Sequence, residues 1–193
     1  MQLTTVLLSL FAAAATAAPA GASCPAPVRK FGIMSLRSAS PVHFGQVSAT
    51  QNKMVLNLPE NKRDAVCTDG KTHENAVFYI RDGELFLYGK EKTQEFFTDR
   101  SGMGQGVLQY FNKGETGLGN RFEVKGWAVD ENDNLTFNGA GLLACPSKTD
   151  GSWYIWVSVG NDKPAGQEGC LGFSARTITI DKPVKCTYSI YSP

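Results

Sequence analysis

Five cysteines, Cys24, Cys67, Cys145, Cys170 and Cys186, carry the most legible chemistry in this 193-residue chain. In an oxidising compartment thiols pair, and an odd number leaves one without an intrachain partner. Five cysteines allow about 15 ways of making two bridges, among which the sequence does not choose; the pairing taken as the expectation is Cys145 with Cys170, which would close a compact loop, and Cys24 with Cys186, which would tie the two ends together. In the loop-entropy model the short bridge would add about 3.5 kcal/mol and the long one about 5 kcal/mol. Cys67 is then the unpaired thiol, read as an inert buried cysteine ahead of a point of attachment to another molecule.

Other reactive types are sparse. His43 and His73 are the two histidines, and neither stands at metal-ligand spacing from another histidine or a cysteine pair. No Gly-x-Ser-x-Gly elbow is present to mount a serine nucleophile. The run Ser101-Gly102-Met103-Gly104-Gln105-Gly106 superficially resembles a phosphate-cradling loop, but it lies between two apolar β-type runs and opens no helix. It reads as a glycine-rich hairpin. Asp130, Glu131 and Asp133 fall in one polar turn, where carboxylates are ordinarily solvated and keep ordinary acidity. No catalytic residue, cofactor or metal is therefore expected.

Two features point to glycans instead. Asn134-Leu135-Thr136 is an acceptor sequon at the junction of a polar turn and a strand, which makes Asn134 the expected glycosylation site. Trp127, Trp153 and Trp156 could stack on sugar rings. Trp127 reads as core, whereas Trp153 and Trp156, three apart in an extended run, point to opposite faces, so one of the two is a candidate glycan contact.

The elements that must hold these residues are strands. Short runs of Val, Ile, Phe, Tyr and Thr recur between Gly, Asn, Asp and Pro clusters, with no sustained helical stripe. The clearest hairpin covers residues 76–88, turning at Asp82-Gly83, a pair suited to the positive φ angles of a tight turn. A second covers residues 126–137. In both, an aromatic (Phe78, Trp127) precedes a β-branched residue by two, and a Leu-x-apolar strand follows the turn. Phe31 begins a looser third copy, so the aromatics stand 47 and 49 residues apart. Three such units predict an all-β, β-trefoil-like single domain with disulfides; the alternative is an irregular β-sandwich.

The chain opens with an apolar stretch ending in small residues, the pattern of a signal peptide over residues 1–17, with cleavage as late as residue 22. Residues 18–193 then form one β-rich domain, about 170 residues being enough for a single core. With 19 basic and 18 acidic residues the net charge is +1, which offers no overall field for nucleic acid or anionic lipid. The C-terminal residues carry no hydrophobic tail, so no membrane anchor is expected.

Particular blocks resemble a known family. The hairpin 78–88, the block Asp99-Arg100-Ser101-Gly102-Met103-Gly104-Gln105-Gly106, the pair Gly126-Trp127, Ala144-Cys145-Pro146 before Trp153 and Trp156, Pro164-Ala165-Gly166 before Cys170, and Cys186-Thr187-Tyr188 look like the fungal PhiA cell-wall proteins. The segment from Gly126-Trp127 to the later cysteines is distantly similar to the C-terminal domain of the PIR wall mannoproteins. The resemblance implies a secreted, non-enzymatic cell-wall protein involved in phialide and conidium development, needed for normal sporulation and wall protection, and an allergen in some species. It implies partners among wall polysaccharides or wall proteins and no catalytic residues. The alternative is a secreted lectin or an inhibitor/effector that binds glycans or host proteins.

Overall fold

In a computed structural model, residues 28–114 and 118–191 are described. The proposed signal segment, its cleavage points and Cys24 lie outside them. The chain forms strands β1 (Phe31–Leu36), β2 (Val47–Thr50), β3 (Lys53–Leu56), β4 (Val66–Cys67), β5 (Phe78–Arg81), β6 (Glu84–Leu87), β7 (Gln94–Asp99) and β8 (Val107–Asn112). They are followed by β9 (Trp127–Val129), β10 (Leu135–Phe137), β11 (Leu142–Pro146), β12 (Trp153–Val157), β13 (Leu171–Thr179) and β14 (Cys186–Thr187). Two single-turn 3-10 segments, Glu60–Lys62 and Pro164–Gly166, are the helical pieces among the described residues. The all-β expectation holds.

Ten strands share one antiparallel sheet in the order β11-β13-β1-β5-β6-β7-β8-β12-β3-β2, and β11 also pairs with β12. That extra pairing closes a ring of eight strands, which leaves the ring without an open edge. The hairpin β2/β3 runs across from the β8 and β12 side to the β1 side: Tyr154 is in register with Val55 and Lys53 with Gln109, while Gln46 bridges Met34 and the Ala76 N–H donates to the Val47 carbonyl.

Alternation along the strands sends every second residue inward. Phe31, Phe78, Phe96 and Tyr110 form a continuous aromatic row across the interior, with successive ring centroids 6.2, 5.9 and 5.5 Å apart. β7 is buried along its whole length, because Phe97 on its outer side is covered by Phe111 and Phe122. The interior also contains a polar clamp. Buried Gln94 donates to the Tyr188 carbonyl and accepts from the Tyr188 N–H, behaving toward the C-terminal segment as a strand partner would.

The strand order does not repeat with the expected three-fold equivalence. β5/β6 are two staves of the ring, whereas β9/β10, its apparent sequence copy, form a separate two-stranded sheet. The matching residue types therefore reflect a shared hairpin recipe in two unequal environments.

Candidate functional site

The Asp99–Gly106 block joins β7 to β8, and each of its distinctive residues has a structural task. An Asp99 carboxylate oxygen accepts the Ser101 N–H at 3.0 Å, and this hydrogen bonding with Ser101 holds the carboxyl below its ordinary range. A Cβ at Gly104 would lie 2.2 Å from Asp99, and one at Gly106 would lie 2.0 Å from the Val157 carbonyl oxygen. Neither site admits a side chain. Gln105 Oε1 accepts from Asn161 Nδ2 and the Ala165 N–H, both at 2.9 Å, and so orders the loop before Cys170. Arg100 makes a two-pronged contact with Glu123 at 2.9 and 2.7 Å and lies over the Phe137 ring. The block is a joint between three segments and presents no phosphate cradle.

The cysteine chemistry differs from the sequence expectation. Cys67 is bonded to Cys186, and Cys145 to Cys170. The pairing of Cys186 with Cys24 and the assignment of Cys67 as the unpaired thiol are thereby corrected. The reason is register: β4 and β14 pair antiparallel with Cys67 directly opposite Cys186, a contact between strands 119 residues apart that spacing does not reveal. Cys67, Asp69 and His73 stand together, but the Cys67 sulfur is consumed by the bridge and is no thiolate ligand. Asp69 and His73 remain a local pair at 2.9 Å. The hydrogen bond from the Lys71 N–H is the main cause of the lowered pKa of Asp69.

Carboxylates were the other catalytic candidates. Asp130 Oδ1 accepts the N–H groups of Asn132 and Asn134, the latter being the main reason its carboxyl stays ionised more readily than usual. It builds the turn. Asp133 meets Arg29 at 3.4 Å on the surface. A second carboxylate pair, missed in the sequence, sits on β6 and β7: Lys113 Nζ lies 2.9 Å from Glu84 and 3.1 Å from Glu95. Burial pushes Glu95 up, while the hydrogen bond from Lys113 pulls Glu84 down. Divergent acidities of this kind suit acid-base work, but Glu95 is 2% exposed and closed to a substrate.

Asn134, the sequon residue, is half-buried; its amide nitrogen donates to Asp130 Oδ2 at 3.4 Å, and its backbone bridges Arg176 of β13. Trp127 is buried against Phe137. Along β12, Trp153, Ile155 and Val157 turn to the core, and Trp153 packs against it. Trp156 turns outward with Tyr154, a residue the sequence reading did not single out although period-two alternation from Trp156 designates it. These two flank a hollow of about 130 Å³ with Lys53, Gln109 and Gln167, and the Lys53 ammonium lies 4.2 Å from the Tyr154 ring centroid. Two outward aromatics with amide and ammonium donors between them form a surface on which a sugar ring can stack and be hydrogen-bonded.

Comparison with known proteins agrees with the architecture's motifs. A family model described as PhiA-like secreted protein matches residues 31–189. The chain is 42% identical over 191 residues to a protein of Emericella nidulans named cell wall protein phiA, covering 98% of this chain and all of that one. It is 40% identical over 182 residues to the protein of the same name from Aspergillus fumigatus, covering 93% and 96% of the two chains. A third, from Aspergillus niger, is 38% identical over 184 residues, or 95% and 98%. No solved structure matches. With most of its length matched by the family model and by these relatives, the chain belongs to the PhiA-like secreted protein family.

Proposed function

We propose that this protein is a non-enzymatic component of the fungal cell wall that supports the formation of phialides and conidia, associating there with wall polysaccharides or neighbouring wall proteins. The observation that carries the reading is its near full-length similarity to proteins named cell wall protein phiA. The fold supports it physically. A ring of strands without an open edge, with the Cys67–Cys186 and Cys145–Cys170 bridges, suits an oxidising exterior in which unfolded chains are not rescued. The outward Tyr154 and Trp156 face supplies a stacking surface for wall glycan.

Fractionation and deletion test the reading together. The protein should be recovered from washed walls of sporulating cultures, and a deletion strain should form abnormal phialides and fewer conidia. Recovery of all the protein from the medium, with normal sporulation in the deletion strain, would overturn it. The Tyr154 and Trp156 surface also favours a second reading, a secreted lectin working beyond the wall. Glycan-array binding abolished by Tyr154→Ala or Trp156→Ala, for protein found in the medium alone, would select that reading.

A further inference from the structure

Net charge near zero conceals a concentrated positive site. On the outer side of the ring, a cleft of about 320 Å³ lies between the start of β1, the hairpin β5/β6 and the approach to β14. Lys30, Arg81 and Lys185 reach it from three separate segments, and Lys90 and Lys92 from the connection between β6 and β7. Among the described residues the lining holds one carboxylate, Glu91, itself exposed beside Lys90 at 3.4 Å. A quarter of the chain's 19 Lys and Arg residues thus meet in one place.

The cleft also holds two phenol rings. The Lys30 ammonium lies 5.2 Å from the Tyr79 ring centroid and 5.4 Å from that of Tyr88, and Lys185 stands 5.7 Å from Tyr88. Burial pushes the pKa of the Tyr79 phenol above its ordinary value, so it stays neutral beside an anion.

Rigid elements position this array. A Cβ at Gly89 would come within 2.5 Å of the Lys92 carbonyl oxygen, so the connection doubles back on itself and presents both its lysines on one rim. On the opposite rim, the Cys186 N–H donates to the Tyr88 carbonyl and the Thr68 N–H to the Lys185 carbonyl, and the Cys67–Cys186 bridge locks both contacts. Lys185 is therefore held against Tyr88 by a covalent staple.

Ammonium and guanidinium groups select carboxylate or phosphate, whereas phenol faces accept the apolar face of a pyranose ring. Their combination in one open cleft matches a sugar that carries negative charge. We propose that the cleft between β1, β5/β6 and β14 binds an anionic polysaccharide, one bearing carboxylate or phosphodiester groups along its chain. The proposal rests on the wall location argued above only for the supply of such a polymer.

Affinity electrophoresis of the full secreted protein through gels containing polygalacturonate, a yeast phosphomannan or neutral dextran tests it. The protein should be retarded by at least one of the two charged polymers and not by dextran, with retardation falling as salt rises. Replacing three exposed cations of the cleft, Lys90→Gln, Lys92→Gln and Lys185→Gln, should weaken binding about tenfold, the scale of three exposed ion pairs. The charge-matched control Lys148→Gln, Lys163→Gln and Lys182→Gln should stay within about twofold of the parent.

Retardation by polygalacturonate alone identifies carboxylate as the group read, and by phosphomannan alone, phosphodiester. No retardation by either polymer, or equal loss in both triple variants, would overturn the proposal. A protein that is wall-bound yet ignores both polymers sinks this inference alone, whereas one absent from the wall sinks the proposed function instead.

Discussion

The hairpins β5/β6 and β9/β10 have nearly the same sequence of residue types and very different positions. β5 pairs with β1 and β6 with β7, so the first hairpin is part of the ring, and Phe78 at its start lies in the aromatic row between Phe31 and Phe96. β9 and β10 pair with each other and dock through Asn134 onto β13. Their seat is the turn of the first hairpin: the Gly83 carbonyl accepts both the Gly126 and the Trp127 N–H, each at 3.0 Å. Gly126 fits that seat because a Cβ there would lie 2.5 Å from Asn138 Oδ1, at a φ of +132°. One pattern thus makes a stave and a lid, and the lid is mounted on the stave's tight turn.

The difference can be broken most severely at the covalent support of the first hairpin. Cys186 donates its N–H to the end of β6 at Tyr88, so removing the bridge with Cys67→Ser and Cys186→Ser should loosen the ring itself. The loop-entropy model assigns about 5 kcal/mol to a bridge closing so long a loop, against about 3.5 kcal/mol for Cys145–Cys170. Denaturant unfolding of the two double variants should rank them in that order. Equal costs would mean that the β4/β14 staple is peripheral.

The aromatic residues sharpen the comparison at smaller cost. Phe78→Ala should destabilise the protein by about 3 to 5 kcal/mol, since a wholly buried ring leaves a cavity inside the ring of strands. Trp127→Phe should cost about 1 kcal/mol, because the indole N–H is buried without a partner and its removal offsets part of the lost packing. A Trp127→Phe loss as large as that of Phe78→Ala would show that the lid is part of the main core.

Acid should distinguish the two turns with the smallest effect of all. Asp130 has a folded-state pKa below its ordinary 3.8, so its support of the β9/β10 turn is present above that value and is lost as pH falls through the lower one. Amide exchange at Asn132 and Asn134 should accelerate on acidification below about pH 3.8, beyond the intrinsic change, and Asp130→Asn should flatten the response. The Asp82-Gly83 turn, shaped by φ angles of 54° and 77°, should show no matching transition. Transitions of equal size at both turns would erase the distinction.

Much of the fold was legible where the information is local. The Asp82-Gly83 turn, the glycine-rich joint between β7 and β8, and the burial of Trp127 all follow from residue types and nearest neighbours. The candidate glycan surface was half legible. Trp156 was named, but its companion is Tyr154 two residues away on the same face, and Trp153 belongs to the core. The cationic cleft was invisible, because Lys30, Arg81 and Lys185 are brought together only by the ring and its staple.

By itself the sequence determined an all-β chain with tight turns at defined points, cysteines in number for two bridges, and membership in a secreted family. These depend on alternation, φ preference and composition, which act over a few residues. Tertiary structure alone decided that Cys67 faces Cys186, that one hairpin caps the other, and that five cations share a cleft on a nearly neutral protein. Such outcomes depend on register between residues as far apart as Phe31 and Thr179, where a shift of one residue would reverse every face.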